Sequence, residues 1–332
     1  MQLRNSRSII IVFIYVAING AIVLSSFNPA VQDYQVESKK AKLAPEYTII
    51  ENLDYFHLKN GVPQMSLSAD KMTSQGEEYA DFVVPRGVYN YQKNNTTIRY
   101  EAMDGSYRKE KEYLVLKGDV KISSPEANYY SQYMKYFFTK DLVIGKDQVK
   151  FEGEDPKTQD YIIIESDKLK ANPERKLSFF EGNVHGHFDR KKKYEGKLNF
   201  SSEKMNLDGQ QSLAHMENNV QISRRGYLIT SGKADIFMEN FNKSLKYFVL
   251  NDDVKVSETL ETPTGPVIRR SFSERLEGFG REEKMVLSGA PRVEQGKEVV
   301  KGYRITIREK TDLIEVDDAM SDVQVKKKKL KD

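Results

Sequence analysis

Residues 114–123 read LVLKGDVKIS and alternate apolar and polar side chains around a Gly-Asp pair. Side chains two residues apart in a β-strand lie on one face, so Leu116, Val120 and Ile122 are predicted to share an apolar face. A Gly, Asn or Asp pair inside a strand favours a bulge or kink that bends it. The stretch therefore predicts a bent strand with one apolar face and one face that carries charges such as Lys117.

The same pattern recurs along the chain. Three further copies read SFFEGNVHGH from Ser178, AHMENNVQIS from Ala214 and YFVLNDDVKV from Tyr247. Their valines follow Val120 at intervals of 64, 36 and 34 residues, and a weaker copy, VKFEGED at Val149, lies within the first interval. A repeat of this length indicates one supersecondary unit, here a pair of strands.

A second short pattern alternates with the first. It reads SADKM at 68–72, ESDKL at 165–169, SSEKM at 201–205 and SGKADIF at 231–237. From Tyr47 onward, strand-like runs alternate with turn-forming residues at the spacing typical of an all-β protein. The abundance of Tyr, Phe, Val and Ile also favours strands over helices.

The aligned apolar positions are predicted to stack into one continuous trough. The pattern alone is compatible with a closed core, filled by its own side chains, and with an open groove that holds a ligand. The predicted trough residues are Leu116, Val120, Ile122, Phe180, Val184, Met216, Val220, Ile222, Leu250, Val254 and Val256.

The N-terminal region predicts a membrane anchor. Residues 8–27 are a nearly uncharged apolar stretch, and a helix of that length spans about 30 Å, the thickness of a bilayer core. Arg4 and Arg7 precede it and favour a cytoplasmic N-terminus. We predict a cytoplasmic tip (1–7), a retained single-pass anchor (8–27) and a polar linker (28–46); a cleaved signal peptide is the alternative.

The anchor, the segment IIENLDYFHLKNGVPQMSLSADKM (49–72) and YLVLKGDVKI (113–122) together resemble LptC, a bitopic periplasmic family of the lipopolysaccharide export bridge. The region from about Tyr161, with IIIESDKLKANPERKLSFFEGNVHGHF and YLITSGKADIFMENFNKSLKYFVLNDDVKV, resembles the LptA and OstA-like family. Members of these families are separate, shorter proteins, whereas here the two types are joined in one chain.

The resemblance implies a fold, a cargo and partners. The fold is an all-β, elongated and slightly open antiparallel β-jellyroll, with an LptC-like part (47–155), an LptA-like part (156–325) and a basic tail (326–332). The cargo is lipopolysaccharide, whose acyl chains are sheltered in the groove. The partners are an inner-membrane ABC transporter and a further LptA-type or outer-membrane bridge protein, joined by edge-strand pairing. The bulk of the chain is then periplasmic.

Other classes of site find little support in the sequence. His185 and His187 share a strand face, but no third metal ligand is evident, so we predict no metal site. No motif for a catalytic nucleophile, a phosphate-binding loop or a cofactor is present, and we predict neither an enzyme nor a cofactor. The chain has no Cys, which excludes disulfides and thiol chemistry, and its net charge of +3 gives no indication of nucleic-acid binding.

Two basic runs, 190–193 and 326–331, read as solvated segments, with attraction to lipid phosphates as the alternative. The competing function for the whole chain is a closed-core β-repeat scaffold of the cell envelope with no lipid cargo.

Overall fold

The computed structural model describes most of the chain from Tyr47 to Asp322. The predicted anchor, linker and basic tail, and the basic run 190–193, lie outside the described residues. The described ranges are 47–59, 61–76, 78–91, 96–108, 110–125, 127–137, 140–154, 161–173, 175–189, 197–224, 226–239, 244–262, 265–279, 282, 284–308 and 313–322.

All regular secondary structure in these ranges is β, and the pairings between strands are antiparallel, which confirms the predicted all-β class. The strands are β1 (Tyr47–Lys59), β2 (Val62–Gln75), β3 (Tyr79–Val83), β4 (Arg86–Tyr91), β5 (Thr96–Glu101), β6 (Asp104–Arg108), β7 (Tyr113–Ser123), β8 (Ala127–Phe137), β9 (Leu142–Glu154), β10 (Tyr161–Asn172), β11 (Leu177–Asp189), β12 (Leu198–Asp208), β13 (Leu213–Arg224), β14 (Tyr227–Glu239), β15 (Ser244–Thr262), β16 (Gly265–Phe279), β17 (Lys284–Ser288), β18 (Arg292–Gln295), β19 (Glu298–Lys301), β20 (Arg304–Arg308), β21 (Leu313–Asp317) and β22 (Met320–Asp322).

The chain divides into two compact units, Met1–Leu116 and Lys117–Asp332, within β7. In unit 1, β1 pairs with β2, and β2 pairs with both β3 and β4. β4 then pairs with β5, and β3 with β6. The short strands thus combine into two longer ones, β3–β4 and β5–β6, each interrupted by a corner. Val84 occupies the first corner with a left-handed φ of 50°.

Unit 2 is a meander of consecutive bent strands. β8 to β16 pair in chain order from β8–β9 to β15–β16. β16 then pairs with β17 along one half and β18 along the other, so that β17–β18 continue the series as one interrupted strand. β19–β20 and β21–β22 follow in the same way. Each predicted repeat is therefore a pair of strands.

The predicted bends are present, and left-handed residue pairs produce them. In β11, Gly182 and Asn183 have φ of 81° and 47°, and Asp252 and Asp253 in β15 have 68° and 55°. The pairing register shifts at the same points, as between Glu181 and Val184. Gly, Asn and Asp tolerate this conformation better than other residues. Gly182 is further required because a Cβ there would collide with Asp167.

A buried serine forms the corner on the intervening strands. Ser166 Oγ donates a hydrogen bond to the carbonyl oxygen of Lys168 at 3.0 Å, and Ser202 Oγ donates to that of Lys204 at 2.9 Å. Ser131 and Ser231 make the same bond to the residue two positions ahead. The hydroxyl bonds a carbonyl group at the point where the ladder is interrupted, and so satisfies both buried polar groups.

The two sequence patterns are therefore opposite halves of one corner. Val184 pairs with Ser202, and Val220 pairs with Ser231. Outside the corner, polar side chains link the strands: Asn183 Nδ2 donates to Asp167 Oδ2 at 2.9 Å. The bend thus has a valine and a bonded hydroxyl inside and a side-chain hydrogen bond outside.

We expect Ser202→Ala to lower the free energy of unfolding by about 1–3 kcal/mol, because it removes the buried hydroxyl that donates to the Lys204 carbonyl oxygen at the corner. Urea unfolding measures the change. The matched control is Ser273→Ala in β16, since the buried Ser273 hydroxyl has no partner among the described residues. That variant should be at least as stable as the wild type, because it removes a buried hydroxyl that has no partner. Equal losses of stability in the two variants would contradict this account of the corner.

Candidate functional site

A continuous row of side chains crosses unit 2 on the inner face, one strand after another. Phe180 pairs with Leu169 on one side and Met205 on the other, and Met205 pairs with Met216. Cross-strand partners on one face are direct neighbours. We call this set the central row; its members in order are Met134, Gly145, Leu169, Phe180, Met205, Met216, Ala234, Leu250, Leu276, Leu287, Ile305 and Val316.

A second row runs beyond the corners, on the other arm of the same strands. Phe151 pairs with Ile164, and Phe200 pairs with Ile222. Gly186 lies between these pairs because a Cβ there would meet the Phe200 ring and the Ile163 carbonyl. The second row comprises Tyr129, Phe151, Ile164, Gly186, Phe200, Ile222, Ile229, Val256, Ser271, Val293 and Val300.

The two rows pack against each other in one core. The rings of Phe151 and Phe180, which lie on opposite sides of their corners, have centroids 6.1 Å apart and an interplanar angle of 60°. Members of both rows belong to a single hydrophobic cluster. The strands therefore fold over at the corner, so that their two arms face each other across an apolar interior.

Most of the predicted trough residues lie in this interior. Leu116 is buried in unit 1, Val120 is buried in unit 2, and Ile122 is only half-buried. The other eight belong to the unit 2 cluster, and Phe180, Val184, Met216, Val220 and Leu250 have no exposed surface. Their burial shows which way they point; their role as lipid contacts remains a prediction.

The interior residues of the intervening strands were missed by the sequence analysis. Leu169, Met205 and Ala234 each follow the corner serine by three positions, and Ile164 precedes its serine by two. The second sequence pattern, SADKM and its copies, did contain a signal for these interior positions. The apolar positions keep a fixed distance from the serine, but the neighbouring Asp, Glu and Lys gave the segment a polar character.

Unit 1 has buried apolar side chains of its own. Ala69, Phe82 and Leu116 are buried there. The Tyr100 ring covers Gly87, where any Cβ would collide with it. The Tyr100 hydroxyl is buried without a partner among the described residues, and burial raises the pKa of Tyr100 to about 12. Tyr100 thus contributes an aromatic ring and a buried hydroxyl to unit 1.

Three histidines, His185, His187 and His215, lie near acidic groups on the outer faces of their strands. His185 Nε2 lies 3.0 Å from Glu165 Oε2, and burial lowers the pKa of His187. His215 Nδ1 lies 2.5 Å from Asp235 Oδ1, and its Nε2 lies 3.0 Å from Glu217 Oε1. Within the described ranges no group of three such side chains is arranged to hold a metal ion.

Partial burial by itself lowers the pKa of His215, but hydrogen bonds to Glu217 and Asp235 outweigh it and raise that pKa above its ordinary value. A raised folded-state pKa stabilises the fold below the unfolded-state pKa of about 6.5, and this contribution is lost as the pH rises through the folded-state value.

We therefore expect the stability difference between wild type and His215→Asn to shrink as the pH is raised from about 6 to about 8. Urea unfolding at a series of pH values measures it. Asp235→Asn serves as the control, because it removes one of the two negative charges beside the imidazole and should weaken the dependence. A difference that grows with pH would contradict the assignment.

No helix in the part of the chain that the structure describes is long and apolar enough to cross a membrane. The predicted anchor at 8–27 lies outside that part.

Two family models match consecutive parts of the chain. Residues 10–159 match the family described as lipopolysaccharide-assembly, LptC-related. Residues 199–313 match the family described as LptA/(LptD N-terminal domain) LPS transport protein. The predicted succession of an LptC type and an LptA type is confirmed; the boundary between residues 155 and 156 stays a prediction.

Among solved structures, the chain is similar to LptH from Pseudomonas aeruginosa, titled as the LptA homologous periplasmic component of the conserved lipopolysaccharide transport device. The identity is 11%, the TM-score is 0.35, and the match covers 39% of this chain and 95% of that one. No curated protein matches the chain in sequence.

Proposed function

Because the chain joins an LptC-related region to a region of the LptA and LptD N-terminal type, we propose that it is a membrane-anchored periplasmic bridge protein for lipopolysaccharide. It carries the lipid from the inner membrane toward the outer membrane and shelters the acyl chains inside the folded strands. It performs no chemistry on its cargo. These families belong to lipopolysaccharide assembly and transport; the anchoring and the sheltering are parts of the proposal.

The observation that carries the proposal is the continuity of the central row. Each strand from β8 to β17, and then β20 and β21, adds a member, and nearly every member is apolar. An acyl chain needs such a surface, since exposing each CH₂ to water costs about 0.8 kcal/mol. Apolar contacts have no preferred direction, so a chain can pass from Met216 to Leu250 without breaking specific bonds.

The interior is lined by side chains of the protein that are fully buried against one another. Met216 and Leu250 have no exposed surface. An acyl chain must therefore separate the two arms and pack against the side chains that previously packed against each other. The exchange is close to balanced, because an apolar side chain is attracted about equally to another side chain and to an alkyl chain. The corner, held by the bonds of its serine hydroxyl and of the outer side chains, stays in place while the arms part.

Movement in one direction needs an energy source and partners outside this chain. An inner-membrane ABC transporter supplies the energy, and residues 1–27 keep the chain at that membrane. Edge strands form the junctions: among the described residues β1 pairs only with β2, while β21 and β22 pair only with β20 and β19. Edges with unpaired backbone groups accept a further strand. The region 55–67 would meet the transporter side, and 303–325 the next bridge element.

A second function is a closed-core envelope scaffold without lipid cargo. The burial of the central row from Met134 to Ile305 favours it, because a packed core needs no ligand. The two functions differ in whether lipid ever reaches that row.

We expect a photoreactive residue at Met216 or Leu250 to crosslink to lipopolysaccharide in cells, because these positions face the interior. Immunoblots with an antibody against the lipid detect the product. Glu217 and Lys255 are matched controls on the outer face of the same strands, and Lys255 is exposed. A scaffold gives no product at any of the four positions, and equal products at inner and outer positions would also exclude an interior path.

We expect depletion of the protein to leave newly made lipopolysaccharide in the inner membrane, because a bridge is required for its passage. Membrane fractionation after pulse labelling measures the distribution. A scaffold predicts normal distribution of the lipid with altered cell shape, and that result would refute the bridge.

A further inference from the structure

The inner face of β16 carries polar side chains where the equivalent strands are apolar. β10 presents Ile162, Ile164 and its corner Ser166 to the interior, and β12 presents Leu198, Phe200 and Ser202 in the same order. The matching positions of β16 are Arg269, Ser271 and Ser273, and all three are buried. We call these three residues the polar column.

Arg269 is paired inside the interior with a carboxylate from the neighbouring strand. Its side chain is 2% exposed, and its Nε and Nη2 donate to Glu258 Oε2 at 2.9 and 2.5 Å. Glu258 and Arg269 are direct cross-strand partners in β15 and β16. Removing two charges from water is costly, and a buried pair of this kind often stabilises no better than apolar side chains of the same size. Its presence therefore points to a role other than stability.

Ser273 gives a second, independent indication. Four other corner serines bond the carbonyl group two residues ahead, as Ser231 does to Lys233 at 3.0 Å. The Ser273 hydroxyl is buried and has no partner among the described residues. A buried hydroxyl without a partner is costly and rare. It presents a donor to the interior that a ligand oxygen can satisfy.

The polar column begins at Arg269, at the end of the arm of β16 that pairs with β18. Glu258 pairs with Tyr227, next to the turn at Gly226, and Arg269 pairs with Gln295, next to the turn at Gly296. The hairpin of β15 and β16 continues for four more pairs, from Thr259↔Ile268 to Thr262↔Gly265. Among the described residues no other strand pairs with this extension. Arg269 thus lies directly beneath the hairpin extension, whose first residue is bonded to the neighbouring turn by Thr259 N–H, which donates to the Gly226 carbonyl oxygen at 3.3 Å.

We propose that the polar column binds a phosphorylated lipid during its passage and that the phosphate binds at Arg269. When no lipid is bound, the Glu258 carboxylate takes the place of the phosphate. The inference rests on the proposed function and adds a headgroup contact to it. A guanidinium binds carboxylate and phosphate oxygens with the same paired geometry, so one replaces the other. Ser273 lies four residues further, about 13 Å deeper along the strand, where it donates to a carbonyl oxygen at the head of an acyl chain.

Exchange with Glu258 keeps the contact temporary. The carboxylate returns as the lipid leaves, so Arg269 is never left as an unpaired buried charge. Bulk water competes less well for the Arg269 guanidinium, because Leu260 and Val267 of the hairpin extension lie on the same face as the ion pair. The polar column is therefore a single polar binding site along an otherwise apolar path.

The test compares two probes on the full chain in detergent micelles: diphosphoryl lipid A and the same lipid with its phosphates removed. Wild type should bind the phosphorylated probe about tenfold more tightly, the effect of one charge-assisted contact. The double variant Glu258→Met/Arg269→Met, which leaves no unpaired charge, should bind both probes equally. The matched control is Arg275→Gln/Glu277→Gln, an ion pair of 2.8 Å on the exposed face of β16, which should keep the wild-type preference.

Three outcomes decide the question. An unchanged preference in the double variant at 258 and 269 overturns the proposal and leaves a purely structural ion pair, even if both probes still bind. Failure of the wild type to bind either probe refutes the proposed function itself. Inorganic phosphate distinguishes the source of the anion: stabilisation of wild type against heat by phosphate, but not of that double variant, would show that the free ion suffices and would overturn the lipid part of the proposal.

Discussion

The corner in the middle of each strand is the constraint on which the rest of unit 2 depends. Two consecutive left-handed residues, as at Asn218 and Asn219 with φ of 63° and 53°, turn the chain without ending the strand. The turn interrupts the hydrogen-bond ladder between the two strands. A buried serine on the adjacent strand donates a hydrogen bond to the carbonyl oxygen two residues ahead, at the point of interruption. Without that hydroxyl the bend would leave polar backbone unsatisfied inside an apolar space. The corner thus makes one strand contribute both walls of the interior.

This arrangement explains why the chain can be long and repetitive. Each strand pairs with the next along both arms, so each added pair of strands extends the central row and the second row together. Stability then depends mainly on neighbouring strands, as in other stacked repeats. From β10 to β14 each strand contributes an apolar side chain to the central row, and Phe180, Met205 and Met216 follow one another there. Uniformity of this kind suits a surface along which an apolar chain moves, and it equally suits a closed core.

Much of this could be predicted from the sequence because the bend has a local cause. A Gly, Asn or Asp pair directly before an apolar residue identifies the corner, and alternation from Val184 or Val220 then identifies the inner face. The serine corners could not be recognised in the same way. Ser202 reads as a polar residue of a charged segment, and only the pairing with Val184 shows that it lies inside. Glu258 and Arg269 were missed because their burial depends on strands that are distant in sequence.

The corner serines also affect how easily a lipid can move through the interior. A hydroxyl that already donates to its own backbone, as in Ser166, offers no free donor to a passing chain, so it adds little resistance to movement along an apolar path. Ser273 breaks that rule, and it does so on the strand that also carries the buried Arg269. Two unrelated costs on one strand, an ion pair removed from water and a donor without an acceptor, are hard to explain by packing alone. They are explained together if that strand meets the polar end of a molecule whose apolar part occupies the rows beside it.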